Sequence, residues 1–254
     1  MPPFDQTPDK PVSFGYKVSW FAVKTSDPAS VLDALEFGKG TPANWTSGIE
    51  AAYVASREKA WAFVSPPVNG WILIVNSLLP YPVAPNGRRA DIGAKFDVLF
   101  SRLMKRFADV QFFGTHRVSD FTAWARAQGG EPKRVFAFSG SEGEVYANVG
   151  EQTPEEASLK FANLSGLPPS AATNKIFEIA QQQDAERRAL EASGLSRREA
   201  MNRFLQSNRS PFPGEEDVVA LAGLWSIDPG QLSDQDHPPG LGLAVRLPEN
   251  LVGW

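Results

Sequence analysis

The chain contains no cysteine, so it can form no disulfide and offers no thiol nucleophile and no thiolate ligand for zinc or an iron–sulfur cluster. Histidine is nearly as scarce: His116 and His237 are the two in 254 residues. A site built on several imidazole ligands is thereby excluded, and a catalytic triad would have to use one of these two. The glycine pairs in Gly38-Lys39-Gly40 and Gly140-Ser141-Glu142-Gly143 lack dinucleotide or P-loop spacing, and no Gly-Lys-Ser/Thr occurs, so ordinary turns account for them. No metal and no cofactor is expected. No apolar stretch approaches the roughly 20 residues that span a bilayer. Residues 1–17 are rich in proline and polar side chains, without the basic head and apolar run of a secretory signal. The expectation is a cytoplasmic protein with no membrane partner.

Charge of one sign is also lacking overall. The formal net charge of -4 gives no reason to expect nucleic acid as a partner. Its distribution is uneven, however. Arg88, Arg89, Lys95, Arg102, Lys105, Arg106 and Arg117 fall in one region, and Glu215, Glu216, Asp217, Asp228, Asp234 and Asp236 gather near the end. The two regions either face each other or face different partners.

What is present is core-forming surface: 42% apolar residues, including 17 Phe and 7 Trp, enough to rule out wholesale disorder. Residues 17–24 are dense in β-formers, and Asp27-Pro28 supplies an N-cap followed by proline at the first helical position. Val31, Leu32 and Leu35 continue at helical spacing to a stop near Gly38. Residues 61–64 and 71–75 read as strands joined through a Pro-rich loop ending in Asn69-Gly70, a hairpin signal. The unit is β-α-β-β, with residues 39–58 read less definitely.

The same order returns at 110–148. Residues 110–116 read as a strand, Ser119 or Asp120 as the cap of a helix carrying Phe121, Trp124 and Ala125, and 134–138 with 145–148 as a second hairpin. An internal duplication follows as an expectation, with a strongly apolar helix at 94–107 between the copies. From about 150 capping signals dominate: Thr153-x-x-Glu156 and Ser196-x-x-Glu199 have capping-box spacing, and Val218 to Trp225 forms a buried helical stretch. The expected fold is α+β: two β-α-β-β units forming a mixed or antiparallel sheet with covering helices, then a mainly helical C-terminal region. The divisions are a flexible arm at 1–17, the α+β domain at 18–150, helices at 151–232 and an irregular tail at 233–254.

Two sets of residues carry chemistry. His116, Arg117 and Asp120 cluster at the end of a predicted strand, where α/β folds often assemble sites, and would serve a hydrolase or transferase. The competing account is that Ser119 or Asp120 caps a helix, Arg117 pairs with an acid and His116 is half-buried. Glu215, Glu216, Asp217, Asp234 and Asp236 form an acidic surface suited to a basic partner, although the run at 215–217 also fits a helix N-terminus, where negative charge opposes the dipole. The same acidity argues against reading 196–232 as a DNA-binding helix-turn-helix.

Trp20-Phe21-Ala22-Val23-Lys24 with Val31-Leu32-Asp33-Ala34-Leu35, and Leu221 through Leu232, resemble motifs of uncharacterised bacterial cytosolic proteins. The resemblance is confined to these short stretches and transfers no site residues. What it implies is binding of the kind seen in immunity-type inhibitors encoded beside toxins. The leading expectation is therefore a noncatalytic protein-binding protein, with an enzyme centred on His116 as the rival and a homodimer as a further arrangement of exposed strands.

Overall fold

The computed structural model describes residues 4–56 and 60–253. The chain runs β1 (Ser19–Val23), α1 (Pro28–Leu35), β2 (Thr41–Asn44), α2 (Trp45–Ala52), β3 (Trp61–Val64), β4 (Ile72–Asn76), α3 (Ala90–Arg106), β5 (Asp109–His116), β6 (Phe121–Gln128), β7 (Glu131–Ser139), β8 (Glu144–Val149), α4 (Pro154–Ser158), α5 (Pro169–Ala192), α6 (Arg197–Ser207), α7 (Glu215–Trp225) and β9 (Leu241–Arg246). Among the described residues nine strands make one sheet, ordered β2-β9-β3-β4-β1-β5-β6-β7-β8. Every pairing is antiparallel. The fold is mixed α and β, as the sequence implies.

Local signals explain much of it. Asp27 caps α1 by accepting from the Ala29 amide at 3.0 Å. Thr153 with Glu156 and Ser196 with Glu199 form reciprocal capping boxes at the starts of α4 and α6. Asn69 and Gly70 both have positive φ, 50° and 80°, as a two-residue type I′ turn requires. The flanking Val68 and Trp71 exchange backbone hydrogen bonds at 2.8 and 2.9 Å, closing the β3–β4 hairpin.

The second β-α-β-β unit is not formed. Residues 121–128 are strand β6, paired with β5 from Phe121↔His116 to Gln128↔Asp109. The turn between them is a short 3-10 segment, Arg117–Ser119, ending at Asp120 in the left-handed region. What looked like a helix cap is a hairpin turn. Phe121, Ala123, Ala125 and Ala127 face one core and Trp124 the other, so burial on both faces hides the period-2 alternation that marks a strand. Strands β5 to β8 are a meander, and the expected duplication gives way to two different halves.

The ends of the chain also differ from expectation. Within 233–254, expected to be irregular, β9 inserts between β2 and β3. In the arm expected to be flexible, residues 1–3 lie outside the described residues, but Asp9 bridges to Gly240. The Asp9 carboxylate also accepts from the amides of Trp45 and Thr46 at 2.6 and 3.0 Å, capping α2 from a distance. Of the stretch read least definitely, 57–58 lies outside the described residues, and 41–52 forms β2 and α2.

Helices cover both faces of the sheet. α1 and α3 pack on one through Val31, Leu32, Leu35, Phe96, Leu99 and Leu103. α2, α7 and the start of α5 pack on the other, with Trp20 stacked on Phe113 at 5.2 Å. α2 lies close because of Gly48, where a Cβ would come within 2.1 Å of the Phe63 ring. α5 buries Ala172 and Ile176, both in its first two turns. α6 then folds back along it.

Candidate functional site

The β5–β6 and β7–β8 turns lie side by side at one end of the sheet. The Gly140 amide donates to the Asp120 carbonyl at 3.0 Å and the Ser141 amide to that of Ser119 at 3.2 Å. Gly140 is needed there, since a Cβ would sit 2.7 Å from the Asp120 Cβ. Opposite these turns stands the N-terminal end of α7. Its first three residues, Glu215, Glu216 and Asp217, are held in different ways.

Glu215 is built into the structure. It accepts from the Lys17 amide at 3.2 Å and from Arg117 Nε at 2.8 Å. Arg117, whose side chain keeps 64% of its surface exposed, also lies 6.0 Å from the Tyr16 ring centroid. This is the point at which the basic and acidic regions of the sequence meet. Asp217 accepts from the Gly214 amide at 2.9 Å and pairs with Arg209. Arg209 also donates to the Leu159 carbonyl, and burial lowers the pKa of its guanidinium. Among the described residues, the side chains of Glu216 and Asp120 have neither an ion pair nor a hydrogen bond, and both are exposed.

Between these walls lies a groove of about 810 Å³ lined by Tyr16, Arg117, Asp120, Thr122, Phe138 and Phe177 among others, with Phe212 and residues 213–217 closing it. That volume is typical of ligand sites. One wall is aromatic: Phe212 stacks on Phe138 at 5.7 Å, and Phe177 meets Phe212 edge-on at 5.5 Å. Thr122 is 1% exposed, and its hydroxyl has no hydrogen-bond partner among the described residues. Its cross-strand neighbour Thr115 is satisfied, donating to the Gly15 carbonyl at 2.9 Å. Comparison of the chain with known families, curated sequences and solved structures yields no match. The groove itself is therefore what bears on function.

The structure brings together residues from both candidate sets. Arg117 and Asp120 share the groove with Glu215, Glu216 and Asp217, whereas His116 is not in its lining. His116 is half-buried, with Nδ1 3.2 Å from Ser119 Oγ within the turn. Asp234 and Asp236 lie elsewhere; Asp236 pairs with Lys10 at 3.1 Å while 97% exposed. The aromatic wall was not legible as a site, because Phe138, Phe177 and Phe212 come from three separate segments. Among the described residues no group of three His, Asp or Glu is arranged to hold a metal ion.

Within the basic run at 88–117, three cations besides Arg117 are engaged in contacts of the fold. Arg89 pairs with Glu142 at 2.7 Å, Arg102 bonds the Leu35 carbonyl at 2.9 Å and pairs with Glu36, and Lys95 reaches the Val252 carbonyl at 2.9 Å. These cations fasten α3 to its neighbours. Exposed pairs such as Lys10–Asp236 contribute little, about 0–1 kcal/mol each.

Proposed function

We propose that the protein acts without catalysis, by binding another protein through this groove, and that its partner presents a basic segment. The observation that carries the reading is the composition of one concavity: four carboxylates, from Asp120, Glu215, Glu216 and Asp217, share a lining with Phe138, Phe177 and Phe212, and among the described residues Arg117 is the one cation in it. Acidic surfaces steer basic partners, and aromatic anchors supply most of the energy in protein interfaces. Tyr16, 40% exposed beside Arg117, adds apolar contact. A single-partner, immunity-type inhibitor of a basic toxin fits this arrangement, in line with the sequence resemblance.

The test is comparative capture from an extract of the source organism. Wild type and a Glu216→Lys, Asp120→Asn variant are immobilised in parallel; a basic protein retained by wild type and lost with the variant supports the reading. Identical retention by both, or retention of acidic proteins only, contradicts it.

One observation favours a second reading, a hydrolase or transferase at His116: the 3.2 Å approach of its Nδ1 to Ser119 Oγ, a nucleophile–base spacing. Ester or phosphate turnover by wild type that His116→Ala abolishes would support it, and equal inactivity of both proteins would remove it.

A further inference from the structure

The groove contains one group that its role as a general acidic surface leaves unused. Thr122 sits on β6 directly across from Phe138 on β7 and lines the groove with it. A buried hydroxyl without a partner is destabilising, and native proteins keep such groups rarely. Thr115, its neighbour on β5, shows how the fold satisfies a hydroxyl at this level, through the Gly15 carbonyl. Among the described residues the Thr122 hydroxyl has no such partner.

Two further features line the same groove. Asp120 and Glu216 are exposed carboxylates lacking a cation, while the carboxylates beside them, Glu215 and Asp217, are already paired with Arg117 and Arg209. Phe177, 39% exposed, and the half-buried Phe212 present ring surface, with Phe138 buried behind Phe212, and among the described residues no cation lies over any of the three. Elsewhere in this protein cations do lie near rings, as with Arg126 at 5.6 Å from Trp225 and Arg209 at 5.1 Å from Phe161.

We propose that the groove is an anchor site for one arginine side chain of the protein partner. The guanidinium, seated against the Phe wall, donates to Asp120 and Glu216 and to the buried Thr122 hydroxyl. A guanidinium suits this set better than an ammonium. It is planar and stacks on aromatic rings, is weakly hydrated, and carries five donors in a fixed fork that can reach several acceptors at once. A lysine ammonium would lose more hydration and could not stack. The site rests on the protein-binding reading and makes it narrower, since a basic partner held only by long-range charge would need no arginine.

The probe is N-acetyl-arginine amide, titrated into the full-length protein and followed by the Thr122 methyl and the Asp120 amide signals in NMR. Saturable shifts at both positions are expected, with about tenfold weaker binding in Thr122→Val and in Glu216→Gln. N-acetyl-lysine amide should bind about tenfold more weakly than the arginine probe, and the citrulline analogue, isosteric but uncharged, should not saturate. Glu216 is exposed, so its variant keeps the test valid should Thr122→Val disturb the sheet. No saturable shift at Thr122, equal binding of arginine and citrulline probes, or indifference to both substitutions overturns the proposal. A partner captured through the groove while the arginine probe fails would overturn the anchor alone and leave the binding reading standing.

Discussion

At the scale of single residues, one buried ion pair ties the helical layer to the sheet. Arg134, 3% exposed, donates from Nε to both Glu156 oxygens, at 2.9 and 3.1 Å, and Glu156 is 1% exposed. The same carboxylate accepts from Trp124 Nε1 at 2.8 Å and from the Thr153 amide at 2.8 Å. Asn148 extends the network, accepting from Arg134 Nη1 and donating to the Leu164 and Leu167 carbonyls. A capping box that is local in sequence is thus also the socket for a distant arginine. Glu156→Gln keeps the size of the side chain but leaves Arg134 charged and buried, so the variant is expected to lose about 3–5 kcal/mol in urea unfolding. A loss no larger than that of an exposed pair would show that water reaches this network.

At the scale of elements, the sequence is readable where a local chemical rule operates. Asp27-Pro28, the Asn69-Gly70 turn and the two capping boxes needed only neighbours in the chain. Strand β6 is hidden in the sequence for a physical reason: Asp120 and the alanines at 123, 125 and 127 satisfy helical rules, and only pairing with β5 and β7 makes the segment a strand. The start of α2 is a similar case, because part of its cap comes from Asp9, more than thirty residues earlier. Its packing depends on one residue. Gly48→Ala would press a methyl group into the Phe63 ring, and an overpacked contact of this kind costs about 1–3 kcal/mol. The expected result is a lower urea midpoint with an unchanged m-value. An undiminished midpoint would mean that α2 can move off β3 freely.

At the scale of the whole molecule, the last strand added to the chain lies inside the sheet. β9 pairs with β2 through Thr41↔Ala244 and with β3 through Phe63↔Ala244, and the segment after it buries Leu247, Leu251 and Val252 against the opposite core. Pro238, Pro239 and two glycines around it mask this strand in the sequence, and its partners lie about 180–200 residues away. A chain ending at residue 232 is therefore expected to lose cooperative folding, not merely a loose tail. A sharp thermal transition in that truncated chain, close to that of the full protein, would contradict this.

The groove emerges at this same scale. It assembles Tyr16 from the N-terminal arm, two hairpin turns, Phe177 on α5, Phe212 and the first turn of α7. The acidic residues and the Arg117–Asp120 turn were legible as separate candidates, but nothing in the sequence placed them around a common space. The central claim is that this space receives a basic protein segment. Site-specific photocrosslinking tests it most directly, with a benzophenone side chain at Phe177 in the groove or, as control, at Leu205 on α6, which is 62% exposed and outside the lining. The account predicts a crosslink from position 177 to a basic, arginine-containing segment of the captured partner and none from 205. Crosslinking from 205 alone, or equally from both positions, would contradict it.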